Sequence, residues 1–125
     1  KARGYRAPGD LRERLNKVLN KMQGTHAFHN YTSGKGAEEA SAKRFVVSFE
    51  AGEVVELAGA EFVELRVQGQ SFMIHQIRKM VGVAVLVLRY GLDPDAALQA
   101  TFRSKRVHVP TAPAAGLLLG RGLFA

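Results

Sequence analysis

Between Gln70 and Gly82 the chain reads QSFMIHQIRKMVG, and this stretch limits what the chain can fold into more than any other. Its apolar spacing predicts a helix that opens at Ser71 and runs to about Tyr90, packed on a core through Met73, Ile77, Met80, Val81, Ala84 and Leu88. Arg78 falls inside that helix, on the side of Ser71, Ile74, His75 and Gly82. A buried guanidinium is costly unless a negative group meets it. The chain offers little as that partner. Its only aspartates are Asp10, Asp93 and Asp95, all in helix-capping contexts.

The rest of the chain supplies short elements of both kinds. Ala7-Pro8-Gly9 reads as a turn and Asp10 as a helix cap, followed by Leu11, Leu15, Val18, Leu19 and Met22 at helical spacing, with Gly24 as the stop. Thr25 to Lys35 reads as a polar and aromatic loop with at most one helical turn. Lys43 to Glu50 and Glu53 to Leu57 are β-rich, with Ala51-Gly52 between them as a turn or a bulge. Glu61 to Gln68 puts Val63, Leu65 and Val67 on one face. Gly91 ends the long helix. Asp93-Pro94 starts a short one that closes at Phe102, and the tail reads as a loop and a final strand. The expected fold class is α+β, an antiparallel sheet with helices packed on one face.

A chain of 125 residues suits one domain with a real core. Its net charge of +7 is unevenly spread. Residues 1–49 carry ten basic and four acidic side chains, residues 50–70 one and five, residues 71–125 seven and two. Basic ends around an acidic middle predict one positive face, which favours a polyanion, most simply nucleic acid. There is no cysteine, hence no disulfide framework and no cysteine-based zinc site, as expected of an intracellular protein. Lys1 stands where an initiator Met would, so the chain is expected to be a piece of something longer. The apolar run Met80–Leu88 is far shorter than the roughly 20 residues that cross a bilayer, and no membrane segment is expected.

Two regions are candidates for chemistry. His26 and His29 lie beside Asn30, Tyr31, Thr32, Ser33 and Lys35. That makes a polar lip able to hydrogen-bond phosphates, riboses or bases, with Phe28 or Tyr31 available to stack. The competing reading has Phe28 anchored in the core and the rest solvated. A metal site on the two histidines lacks further ligands at useful spacing, and none is expected. Gly34-Lys35 fails as a phosphate loop, since His29 stands at the first glycine position and Gly36 replaces the hydroxyl residue. In the second region His75 and Lys79 flank the side of the helix that bears Arg78, and the three basic groups can converge on one cleft. Gly82 there lets a backbone or a ligand approach closely. The competing reading has Arg78 snorkelling from the helix edge and Lys79 solvated.

The segments GTHAFHNYTSGK at Gly24–Lys35, QSFMIHQIRKMVG at Gln70–Gly82 and VPTAPAAGLLL at Val109–Leu119 resemble the TruA-type tRNA pseudouridine synthases, the eukaryotic branch most closely. Their order and spacing also match. The resemblance implies residues 1–125 as the C-terminal half of a catalytic domain with the pseudouridine synthase fold. It implies isomerisation of uridine to pseudouridine in tRNA without a cofactor. In the family an aspartate acts at the ribose of a nucleotide taken out of its stack, and an arginine at the position of Arg78 salt-bridges that aspartate. The aspartate belongs to an N-terminal motif that this chain does not contain. The implied partners are therefore tRNA and the N-terminal half of the same domain, and the chain alone is expected to be inactive. Arg78 is the expected catalytic contribution, with His26, His29, Lys35, His75 and Lys79 as candidates for RNA contact. The rival expectation is a non-catalytic RNA-binding module.

Overall fold

The computed structural model describes residues 7–33 and 39–112. Helix α1 spans Leu11–Leu19 and is followed by a 3₁₀ turn, Asn20–Met22. Strand β1 is Gly24–Ala27, and a 3₁₀ turn at His29–Tyr31 follows it. A further turn at Ala40–Ala42 leads into β2, Lys43–Leu57, and β3, Ala60–Gly69. Helices α2, Gln76–Tyr90, and α3, Pro94–Phe102, complete the described elements. No helix among the described residues is long and apolar enough to cross a membrane.

The three strands form one antiparallel sheet in the order β1-β2-β3. Its inner face carries Val46, Phe49, Ala51, Leu65 and Val67, which share one core with Leu15, Val18 and Leu19 of α1 and Met80, Val83, Ala84 and Val87 of α2. Phe45 and Val47 point the other way and are about half exposed, at 50% and 46%. The α+β reading, with helices on one face of an antiparallel sheet, holds.

The β-rich segments on either side of Ala51-Gly52 form one strand, not two. Its pairing with β3 slips between Val46 and Ser48 and again between Ala51 and Val54, so the glycine marks a bulge. β1 pairs only with residues 43–46 of β2. Beyond that point side chains from the α1 region serve the free edge of β2. Gln23 accepts from the Phe49 N–H at 2.8 Å, Asn16 accepts from the Ala51 N–H at 2.7 Å, and Arg12 donates to the Ala51 carbonyl. Backbone groups that a neighbouring strand would satisfy are thus met by side chains of α1 and of the residue after its 3₁₀ turn.

Three expectations need correction. The segment after Gly24 is a short strand, β1, and not a loop. Helix α2 opens at Gln76, five residues later than expected, because His75 takes a left-handed conformation (φ 65°) that turns the chain into the helix. Its buried face is Gln76, Met80, Gly82, Val83, Ala84 and Val87, whereas Ile77, Val81 and Leu88 are only partly covered. The helix is apolar nearly all round, with Val85 and Leu86 exposed, so periodicity alone does not locate its inner face. The two ends of the helical pair are as read. Gly91 is left-handed at the end of α2, where Leu92 N–H bonds to the Val87 carbonyl. Asp93 accepts from the Ala96 N–H at 2.9 Å and so caps α3. The expected final strand lies outside the described residues.

Strand register makes a test available. Phe49→Ala, at a fully buried position, should cost about 3–5 kcal/mol. Phe45→Ser, four residues earlier on the outer face, should cost under about 1 kcal/mol. Equilibrium unfolding in denaturant measures both, and equal costs would contradict the assigned faces.

Candidate functional site

The sharp entry into α2 concentrates polar chemistry at its first turn. The Gln76 side chain, fully buried, folds back to accept from the Met73 N–H at 2.9 Å. The Thr32 hydroxyl donates to the Ile74 carbonyl at 2.8 Å and ties the 24–33 segment to this turn. His75 is exposed at the helix start.

Arg78 is half-buried one turn into the helix. Its Nε–H donates to the Ala112 carbonyl at 2.8 Å, and the Ala112 N–H donates back to the Arg78 carbonyl at 2.9 Å. Lys79 donates to the Val109 carbonyl at 3.3 Å. Residues 109–112 therefore run along α2, against its direction, from Lys79 and Gly82 to Arg78. The close approach expected at Gly82 is made by the chain's own backbone. A Cβ there would lie 2.2 Å from the Pro110 carbonyl oxygen. Among the described residues no carboxylate reaches Arg78. The ion pairs there are Lys21–Asp95 and Arg66–Glu64. Arg78 thus commits its Nε to the protein, and a guanidinium has four further N–H donors on its terminal nitrogens.

The other expected site residues are differently placed. The His26 ring stacks on Phe102 at 4.2 Å and an interplanar angle of 3°, and its Nε2 bonds to the Gln23 carbonyl at 2.8 Å. His29 is 1% exposed, and neither ring nitrogen has a hydrogen-bond partner among the described residues. The structure does not put it on a polar lip. Phe28 and Tyr31 are fully buried, so neither offers a stacking face. Lys35 lies outside the described residues. His75, Arg78 and Lys79 all lie at the start of α2, and Lys79 points to the 109–112 segment.

The sequence reading missed the network that holds the 24–33 segment in place. Asn30 donates to the Thr101 and Lys105 carbonyls and accepts from the Val107 N–H. Arg106 donates to the carbonyls of His29 and Thr32. The Tyr31 hydroxyl meets the Thr101 hydroxyl at 2.7 Å, and Thr101 in turn donates to the Leu98 carbonyl. Burial pushes the Tyr31 phenol well above its ordinary range, with the Thr101 bond pulling partly back. The signal for this network was the polar run Asn30–Thr32 inside an aromatic segment, which reads equally well as a surface.

A family model for tRNA pseudouridine synthase matches residues 18–122. The mouse and human proteins named Pseudouridylate synthase 1 homolog are each 42% identical over 120 residues, covering 96% of this chain and 28% of their own length. The Yarrowia lipolytica protein named tRNA pseudouridine synthase 1 is 38% identical over 120 residues, covering 96% of this chain and 23% of its own. The chain belongs to the tRNA pseudouridine synthase family. It spans about a quarter of the length of these relatives.

Two substitutions test the network. Asn30→Ala leaves buried backbone groups unpaired and should cost on the order of 2–3 kcal/mol in denaturant unfolding. Tyr31 has a raised folded-state pKa, so its contribution is complete below about pH 10 and is lost as pH rises beyond that. Tyr31→Phe should be less stable by about 1 kcal/mol at neutral pH yet lose less stability than the parent between about pH 10 and 12. A parallel decline of the two proteins would contradict the buried phenol.

Proposed function

We propose that this chain is the C-terminal half of the catalytic domain of a tRNA pseudouridine synthase, and that Arg78 pairs with a catalytic aspartate supplied by the N-terminal half of that domain. The observation that carries the reading is the state of Arg78. Its Nε is fixed on Ala112 and no carboxylate reaches it among the described residues. An arginine so held is ready to receive an anion, and the family supplies one in the form of the aspartate at the target ribose. The names of the relatives support tRNA as the substrate, and the fraction of their length that this chain matches supports a further part of the protein.

In the proposed reaction the glycosidic N1–C1′ bond of uridine breaks, the detached base turns over, a C5–C1′ bond joins it to the same ribose, and C5 gives up its proton while N1 takes one up. Substrate and product are isomers, so the step needs no oxidant or reductant, and the reading includes no cofactor. Arg78 keeps the aspartate ionised in a site from which water is excluded, since an adjacent positive charge favours the carboxylate form. His75 and Lys35 are the RNA contacts in this reading. An intracellular location goes with the substrate.

The test joins this chain to an N-terminal segment that carries the aspartate motif and measures pseudouridine in tRNA. Activity is expected from the joined protein and none from residues 1–125 alone. Arg78→Ala should lower kcat/KM by roughly 10²- to 10⁴-fold, the loss expected when leaving one member of a buried ion pair unpaired costs about 3–5 kcal/mol. Undiminished activity after Arg78→Ala would contradict the role. Binding of tRNA by the joined protein without isomerisation would favour the RNA-binding module instead.

A further inference from the structure

We infer that Gly82 and Lys79 are positioning residues for Arg78, acting through the segment 109–112. The inference rests on the role assigned to Arg78 above and adds the device that aims it.

Residue 112 brackets Arg78 twice, taking the side-chain Nε–H on its carbonyl and giving its own N–H to the Arg78 carbonyl. The Arg78 guanidinium is therefore only as well placed as the backbone at Ala112. Contacts one turn away govern that backbone. Pro110 rests directly on α2 at Gly82, where an added Cβ would meet its carbonyl oxygen at 2.2 Å and its carbonyl carbon at 2.7 Å. Those neighbours are backbone atoms and not the ends of flexible side chains. An alanine at 82 must lift the segment by on the order of 1 Å, since real Cβ contacts essentially never fall below 3.0 Å. Lys79 closes the same span from the other side by donating to the Val109 carbonyl, and the Val109 side chain is itself buried. Proline stiffens the middle of the span through its fixed φ.

The consequence is preorganisation. A free arginine side chain must give up rotamer freedom when it meets an anion. Here part of that ordering is completed by the fold, through Nε, before any anion arrives. A lift of the segment does not remove the charge of Arg78. It turns the guanidinium, and geometric errors of about 1 Å at a reacting centre can cost on the order of 10² in rate.

The experiment uses the joined protein described above, with kcat and KM for tRNA measured for the parent, Gly82→Ala, Lys79→Met, Lys79→Arg and Arg78→Ala, and for Gly82→Ala combined with Arg78→Ala. Circular dichroism checks that each is folded. Gly82→Ala should lower kcat on the order of 10²-fold with KM within about twofold of the parent. Lys79→Met should lower kcat by a smaller factor, with Lys79→Arg recovering most of it. In the Arg78→Ala background Gly82→Ala should have little further effect on kcat, because both act on one group. Full kcat in Gly82→Ala or Lys79→Met, or effects of Gly82→Ala and Arg78→Ala that simply multiply, would overturn the positioning role and leave the assignment of Arg78 standing. If Gly82→Ala does not fold, Lys79→Met combined with Arg78→Ala carries the same comparison. An inactive parent, or an Arg78→Ala variant as active as the parent, would remove the assignment itself and this inference with it.

Discussion

Burial of the inner sheet face beneath α1 and α2 is the constraint on which the other features depend. Val46, Phe49, Leu65 and Val67 share one core with side chains of both α1 and α2, and this common burial holds the two helices to the strands. With α2 fixed in this way, its first turn and its Gly82 face occupy fixed positions. The 109–112 segment and Arg78 are then located by reference to a rigid helix and not to a loop. The polar network around Asn30 is a second layer on the same foundation. It connects the 24–33 segment to the loop after α3, and that loop leads directly into residues 109–112.

Much of the fold was legible because its punctuation is local. Gly91, Asp93 and Pro94 act within a turn of their own position, and the ends of α2 and α3 follow from them. β1 was not legible. Four residues, Gly24–Ala27, carry no alternation, and what makes them a strand is pairing with residues 43–46 across a long gap in sequence. The start of α2 was misplaced for a related reason. A left-handed His75 has no signature in composition, and the residues before it are as apolar as those after. The inner face of α2 depends on which neighbours arrive, since a helix apolar on most sides can present several stripes equally well.

The candidate site divides along the same line. Arg78 was readable as an arginine in apolar surroundings, and no carboxylate reaches it among the described residues. What holds it was not readable, because the holding group is a backbone carbonyl 34 residues away, and every residue type has one. His29 shows the opposite error. Its polar neighbours suggested solvent, but Asn30 and Thr32 spend their polarity inward, on carbonyls and N–H groups of distant segments, and the ring between them goes under with the rest. A cluster of polar side chains in a sequence records the number of hydrogen bonds to be made and not where their partners lie.

The treatment of the β2 edge has an implication for how this sheet can grow. The Phe49 N–H and the Ala51 N–H and carbonyl already bond to Gln23, Asn16 and Arg12. A strand arriving there would have to displace three side chains, two from α1 and one just after the turn that follows it. Extension of the sheet along this stretch of β2 is thereby disfavoured. α1 thus does two jobs, as half of the lid over the core and as the stop that decides from which directions the sheet accepts a neighbour.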